Sequence, residues 1–542
     1  MYGITNTLNT CSSSRWLMAL VLLMSIATAS QANTLMTLDQ AWQTLTQKSY
    51  SKKADAIRAI ATHQPAEAVG VFNTMLQGEL YFAKSDQTLY RMTEVNDQYQ
   101  FSAIFSDDVI TQERKRGFKK VKINNTLRGL LRQSLASLQL GHKDPQVRLG
   151  AVNDLLKDPD ENTAQLIRSL IVNETDVDVK NAMQILLAIG TLLQDNSEPH
   201  FDAIATLEQS LNPAALNALN SYQAPSRVLE KAAKKAIKSI NDRKDFYSVI
   251  ETIFFGLSLG SILALAAIGL AITFGVMGVI NMAHGELIMI GAYTTFVVQT
   301  LMPNNIGLSI IVAIPAAFIV AGAVGVAIER GVIRHLYGRP LETLLATFGI
   351  SLILQQAVRS IFSPLNRTVE TPEWMSGAWQ VNEVLALTWN RMYLIFFCIA
   401  VFMVLIAIMK KTPLGLQVRA VSQNRTMARA MGVRSDWVDA LTFGLGAGIA
   451  GIAGVGLSLL TNVGPNLGQA YIIDSFMVVV FGGVGNLWGT LVAGLSLGVA
   501  NKIMEPWAGA VLAKILVLVF IILFIQKRPK GLFPQRGRAS ED

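Results

Sequence analysis

Asn281, His284 and Glu286 fall within six residues of GVINMAHGELIMIGAY (278–293), a stretch that otherwise has the composition of a membrane helix. An amide, an imidazole and a carboxylate together offer hydrogen-bond donors, acceptors and two titratable groups. In apolar surroundings such a set could line or gate the path of a polar solute, or relay protons with Lys514. An ionised group at the bilayer centre costs roughly 2.5–3.5 kcal/mol on insertion scales, so these side chains are not expected to face lipid. Gly275, Gly278 and Gly285 weaken helical continuity around them. The sequence therefore predicts a helix broken around Ala283-His284-Gly285, with Asn281 capping a new helix whose first turn carries His284 and Glu286. A plainer reading stays open, in which the stretch is a loop at the cytoplasmic surface whose polar residues only cap and pack. Lys514, inside the last apolar run, either pairs with Asp474 or extends its ammonium outward to the interface.

The elements that must hold these groups divide the chain in two. Of its 542 residues 51% are hydrophobic and 15% charged, an unusual mix for a soluble domain. Polar residues concentrate in 33–245 and long apolar runs in 250–526. A span needs about 20 apolar residues. The runs 253–276, 306–328, 341–361, 391–409, 438–460 and 507–526 meet that length, while 278–301 and 471–501 are interrupted by Gly, Asn or His. About eight membrane segments are expected, some broken. The formal charge of +8 sits mainly in short loops: Arg330, Arg334 and Arg339; Lys410, Lys411, Arg419, Arg425, Arg429 and Arg434; and the tail with Lys527, Arg528, Lys530, Arg536 and Arg538. The positive-inside rule places these in the cytoplasm and needs no nucleic acid to explain the charge. By parity, 471–501 must then enter and leave by one face, as two apolar halves joined at membrane depth by Gly482-Gly483-Val484-Gly485-Asn486.

The first 32 residues read as a secretory signal, with Arg15 ahead of WLMALVLLMSIA and small residues where cleavage would fall. Residues 33–245 then read as an exported, mostly helical domain, 246–535 as the membrane domain and 536–542 as a cytoplasmic tail. DPQVRLGAVNDLL (144–156), DVDVKNAMQILLAI (176–189) and SRVLEKAAKKAIKSI (226–240) share a turn followed by apolar residues at helical spacing. That pattern suits stacked helix pairs of HEAT type as well as an ordinary helical domain. ELYFAKSDQTLYRM (79–92) and DQYQFSAIF (97–105) predict a small β-hairpin or meander, and ERKRGFKKVK (113–122) a solvated face or turn.

Two further stretches carry spacing. FGLGAGIAGIAGVG (443–456) sets Gly444 and Gly448, and Gly446, Ala450 and Gly454, four apart, with Gly451 between them. Such stripes let helix backbones pack closely in lipid. In KKTPLGLQVRAVSQNRTMARAMGVRSDW (410–437), Leu416, Val418, Val421, Met427, Ala430 and Met431 interleave with Arg419, Arg425 and Arg429, and Gly432 ends the pattern. A short amphipathic helix of this kind docks in a partner's groove or lies on anionic lipid. There is no Gly-Lys dipeptide, hence no phosphate-binding Walker loop, and no nucleophile triad or metal-ligand spacing. No enzyme activity, metal or bound cofactor is expected of this chain.

NMAHGE (281–286), RAVSQNRTMARAMG (419–432), GGVGNLWG (482–489) and RPKGLF (528–533) resemble the permeases of branched-chain amino acid ABC importers over about 247–535. IERGVIRHLYGRPLETLLATFGISLILQQ (328–356) and the long front domain are most similar to the urea-transporting branch of that family. The resemblance implies a multi-pass inner-membrane permease with its front domain in the periplasm. It implies a second homologous permease, two cytoplasmic ATPases that use the ATP, and a periplasmic solute-binding protein, with lipid around the bundle. The loop at 411–436, through Arg419, Ala420, Arg425, Arg429, Ala430 and Gly432, would couple to the ATPases. A neutral solute such as urea would meet Asn281, Glu286, Thr273 and Asn486, with His284 nearby.

Overall fold

In the computed structural model the described residues are 36–534, apart from 64–66, 96–97, 106–108, 113–116, 158, 160 and 195–197. The expected signal segment, Arg536 and Arg538 lie outside them. The chain packs as two compact units, Met1–Ile240 and Asn241–Asp542.

The first unit opens with α1 (Leu38–Thr44), α2 (Tyr50–His63) and α3 (Ala68–Gln77). A five-stranded antiparallel sheet follows, with β1 (Leu80–Ala83), β2 (Leu89–Val95), β3 (Gln98–Ala103), β4 (Val109–Gln112) and β5 (Phe118–Lys120) in the order β4-β3-β2-β1-β5. The expected hairpin is thus the centre of a larger sheet. Its fifth strand falls in the basic run read as a solvated turn. Phe118 explains the difference: its ring stacks on Phe101 at 3.8 Å while Lys119 and Lys120 face outward. One aromatic among six cations is too short a pattern to register as alternation. Helices α4 (Asn125–Gln139), α5 (Pro145–Leu155), α6 (Glu161–Leu170), α7 (Val177–Leu192), α8 (His200–Gln209) and α9 (Pro213–Ser221) then pack their apolar faces into one core. Asp144 and Asp176 accept backbone N–H groups at the starts of α5 and α7, so both helices begin at the turns read from the sequence.

Helix α10 (Arg227–Met277) leads into the second unit, which continues through α11 (His284–Leu301), α12 (Ile306–Gly331), α13 (Pro340–Phe362), the short ribbon β6 (Ala378–Gln380) and β7 (Ala386–Thr388), α14 (Trp389–Lys411), α15 (Pro413–Gln423), α16 (Arg425–Ala430), α17 (Ser435–Ser458), α18 (Leu467–Gly482) and α19 (Leu487–Lys527). Among the described residues six helices (α10, α12, α13, α14, α17, α19) are long and apolar enough to cross a membrane. Helix α19 is itself kinked at Gly509, where φ is 77° and ψ 159°, just after Pro506. The runs read as ending at 501 and beginning at 507 are thus joined in this one kinked helix.

Helix α17 is the centre of the bundle, and its glycines set how closely its neighbours come. A Cβ on Gly454 would lie 2.1 Å from the Ile288 carbonyl of α11, and one on Gly451 2.5 Å from the Ala317 carbonyl of α12. Gly446 meets the backbone of α10 at Gly269, and Gly444 and Gly448 meet Val326 and Phe318 of α12. The stripe thus serves three neighbours, one per face. Without a hydrophobic driving force between helices in lipid, this close backbone approach is what holds them.

The connections sort to opposite ends. Arg334 reaches Asp436 at 3.3 Å, Val276 packs with Val418 and Val421, and Gly275 lies against Gly485, so the basic connections 332–339 and 411–436 share an end with 483–486. Phe533 joins them through its N–H to the Gly482 carbonyl at 3.2 Å. At the other end Arg367 pairs with Val463 and Gln299 donates to the Glu370 carbonyl at 3.0 Å. The Gly482–Asn486 junction is therefore not at membrane depth. Helix α18, 16 residues and about 24 Å long, runs down to the basic end before α19 turns back.

Candidate functional site

The break after α10 spans residues 278–283, with Gly278 at φ 64°, and α11 begins at His284. The chain then folds back along α10, because His284 Nε2 donates to the Ala266 carbonyl at 2.9 Å, eleven residues before the end of that helix. A carbonyl only accepts, so Nε2 carries the proton and Nδ1 is left as an unprotonated acceptor. Asn281 does not cap α11 directly. Its Oδ1 accepts the Ala283 N–H at 3.0 Å, fixing the turn ahead of the helix.

Glu286 faces α13. Its Oε1 accepts from Ser351 Oγ at 2.9 Å and from Gln355 Nε2 at 2.7 Å, and that amide also reaches Ser351 at 3.2 Å. One turn earlier Thr347 Oγ1 accepts the Met282 N–H at 3.1 Å. Thr343, Thr347, Ser351 and Gln355 are buried and spaced by four, so they form one polar ladder on α13 against the break. Sequence reasoning passed over this ladder. The signal was there, as hydroxyl and amide residues recurring every fourth position of an apolar helix. The outward residues Leu345, Phe348 and Leu352 complete the apolar face.

Three atoms on this break have no hydrogen-bond partner: Asn281 Nδ2, His284 Nδ1 and Glu286 Oε2. All three side chains are buried, so this conformation is closed to solvent at the site. Orphaned buried polar groups are rare and costly, of order 1–3 kcal/mol each, unless a ligand or water completes them. One donor and two acceptors are thereby presented in a single short segment.

The other candidate lining groups lie elsewhere or are occupied. Thr273 is buried on α10, with its hydroxyl donated back to the Leu270 carbonyl at 3.0 Å. Asn486 caps α19 by accepting the Gly489 N–H at 3.1 Å, and its Nδ2 donates to the Phe533 carbonyl at 3.1 Å. It ties the tail to the bundle end and does not join Asn281 and Glu286. Lys514 pairs with Asp474 at 3.1 Å. A relay of His284, Glu286 and Lys514 is therefore not assembled.

The basic segment between α14 and α17 is two helices, not one. Asn424 breaks it, accepting the Met427 N–H at 2.9 Å to start α16. Gly432, at φ 86°, ends α16 as the sequence predicts. Val418, Val421 and Ala428 turn inward, whereas Leu416, Met427, Ala430 and Met431 face outward. Arg425 is an internal clamp, with its guanidinium 2.6 Å from both oxygens of buried Asp439 and over the Tyr337 ring at 4.0 Å. Burial pushes the Tyr337 hydroxyl above its usual range, so it stays a neutral donor and acceptor. Arg429 holds Ser435 and Asp436, and Arg419 donates to the Met409 carbonyl at 2.7 Å. Ala420 is half-buried beside them. The arginines thus set the pose of α15 and α16, and the outward apolar side chains are what remains for a partner.

Residues 252–525 match the family model described as "Branched-chain amino acid transport system / permease component". The chain belongs to this family of membrane transport permeases. It is 31% identical over 301 residues to the high-affinity branched-chain amino acid transport system permease protein BraD of Pseudomonas aeruginosa, covering 53% of this chain and 96% of that protein. It is 30% identical over 305 residues to LivH of Escherichia coli K12, with 53% and 96% covered. It is also 23% identical over 276 residues to the ribose import permease protein RbsC of Haemophilus influenzae, with 48% and 79% covered. No solved structure matches the chain.

Proposed function

We propose that this chain is the inner-membrane permease subunit of an ATP-driven importer of urea. It would form the solute path with a second homologous permease, receive solute from a periplasmic binding protein, and draw energy from two cytoplasmic ATPases. The observation that carries the reading is the unpaired set Asn281 Nδ2, His284 Nδ1 and Glu286 Oε2 on a helix break, backed by the Thr347–Ser351–Gln355 ladder. Urea offers two amino groups and one carbonyl oxygen, which are complementary to two acceptors and one donor.

At the basic end, Leu416, Met427 and Met431 form an exposed apolar edge on clamped helices, suited to seating in a groove of an ATPase. ATP binding in those partners would shift the permease between outward- and inward-open states through that contact. The front unit, 33–245, is read as the periplasmic domain of the same subunit.

A second reading, a branched-chain amino acid or another short amide as solute, is favoured by the relatives, which are named as branched-chain amino acid transport permeases. Uptake of labelled urea and labelled leucine, in cells with and without the intact chain, separates the two. Chain-dependent, ATP-dependent urea uptake supports the proposal. Leucine uptake with no urea uptake would refute urea and keep the permease assignment.

A further inference from the structure

A cavity of about 250 Å³ lies away from the helix break, among α10, α14, α17, α18 and α19. Its polar lining includes Arg391, Asn501, Lys502, Glu505 and Lys514, beside Thr461 and Tyr471, and its apolar walls include Leu259 and Leu457. Asn501 is only 8% exposed, and its amide oxygen is buried without a partner. Arg391 is held by stacking over the Phe255 ring at 4.6 Å, and its guanidinium makes no hydrogen bond or ion pair among the described residues. Lys502 is paired with Glu505 at 2.5 Å and Lys514 with Asp474 at 3.1 Å, so Arg391 is the cation of the three without a contact ion pair, with Glu505 acting on it only at longer range. A buried acceptor lacking a donor and a cation lacking a contact anion therefore share one cavity. Each is costly alone, and one ligand could satisfy both.

The depth of the cavity says where such a ligand comes from. Arg391 is two residues from Trp389 at the start of α14, and Glu505 is two residues from Trp507. Trp507 is 91% exposed and Trp379 53%. Exposed tryptophans gather at the level of lipid headgroups. Beyond them Val511, Leu512 and Ile515 present an exposed apolar surface beside Lys514.

We infer that this cavity is a binding site for a zwitterion that joins a phosphate to a hydrogen-bond donor, the phosphoethanolamine headgroup of an outer-leaflet phospholipid. The phosphate pairs with Arg391, the ammonium donates to Asn501 Oδ1 and Glu505, and the acyl chains leave along the Val511–Ile515 surface. The inference rests on the membrane orientation of the proposed permease and not on its solute. The same chemistry can arrive as a free zwitterion from the aqueous side, so the test separates the two sources.

The full-length chain is placed in nanodiscs of phosphatidylcholine, whose quaternary ammonium has no N–H, and in discs that also contain phosphatidylethanolamine. Thermal unfolding is followed, and retained lipid is read by native mass spectrometry. The expected result is a rise of a few degrees and selective retention of phosphatidylethanolamine, both abolished in Arg391→Gln and Asn501→Leu. Soluble glycerophosphoethanolamine reproducing the rise in phosphatidylcholine discs would assign the same site to a free solute. Indistinguishable behaviour of wild type in the two discs, with no response to the soluble compound, overturns the inference. So does a phosphatidylethanolamine effect that survives in both variants. Urea uptake is independent of this comparison, so failure of either reading leaves the other standing.

Discussion

Replacing Arg425 with Met removes the guanidinium but keeps an unbranched apolar stem over Tyr337. Asp439, 3% exposed on its side chain, then loses the partner that meets both of its oxygens at 2.6 Å. Stripping one member from a buried pair costs about 3–5 kcal/mol, because the other charge stays buried alone. The Arg425 side chain is 26% exposed, so water relieves part of this and the lower end, about 3 kcal/mol, applies. Since 1.4 kcal/mol is tenfold, the equilibrium for release of α15 and α16 from α17 shifts by roughly a hundredfold. Trypsin added to inside-out vesicles reads this directly, as cleavage in fast exchange follows the open population. Arg419 and Arg429 supply the cleavage sites. Arg425→Met should be cut on the order of a hundred times faster than wild type, with uptake reduced in parallel. Adding Asp439→Leu removes the stranded carboxylate and should restore much of the protection. A single variant cut at the wild-type rate, or a double variant as labile as the single, would refute the clamp.

Three other outcomes follow from the same geometry. Gly454→Leu forces a side chain into the Ile288 carbonyl, only 2.1 Å from the first added carbon, and backbone cannot yield as a side chain does. Overpacking of about 1–3 kcal/mol or more should appear as reduced amounts of folded protein in the membrane. Glu286→Gln keeps an acceptor for Ser351 and Gln355 but turns the unpaired Oε2 position into a donor and should lower uptake in part, whereas Glu286→Leu, which also strands both donors, should abolish it; equal effects of the two would argue against a hydrogen-bonding role. In the front unit, the hydrogen bonds from Arg148 hold the Glu174 carboxylate below its usual pKa. Its stabilisation is therefore complete above the ordinary glutamate range, near pH 4.3, and lost as pH falls through the lower folded value. Hydrogen exchange over 144–192 in the full chain should accelerate below about pH 4, and Arg148→Met should remove that acid dependence.

What could be read from the sequence depended on the length of the pattern that carried it. Apolar runs of 20 residues and the bias of arginine loops located the long helices and sorted the connections to two ends. The glycine stripe of 444–454 announced close packing, because small residues four apart have little other use in an apolar helix. Short or distributed signals did not survive. The Gly482–Asn486 run looks like a break at membrane depth, yet its place at the basic end depends on Gly275 and Phe533, far away in sequence. Phe118 made a strand out of a basic run by stacking on Phe101. Arg425 was indistinguishable from Arg419 and Arg429 until Asp439 and Tyr337 were seen beneath it. The polar ladder of α13 was present as spacing, but its meaning lay in Glu286 on another helix.

The most direct test is to place a cysteine at Met431, 81% exposed at the end of α16, and to crosslink it in native membranes. The single described cysteine, Cys398, is buried and does not compete. The account predicts labelling from the cytoplasmic side only, and a crosslink to an ATPase subunit whose yield changes when nucleotide is added. Labelling of the same cysteine from the periplasm would contradict it, as would a crosslink-free, nucleotide-insensitive residue in membranes that transport normally.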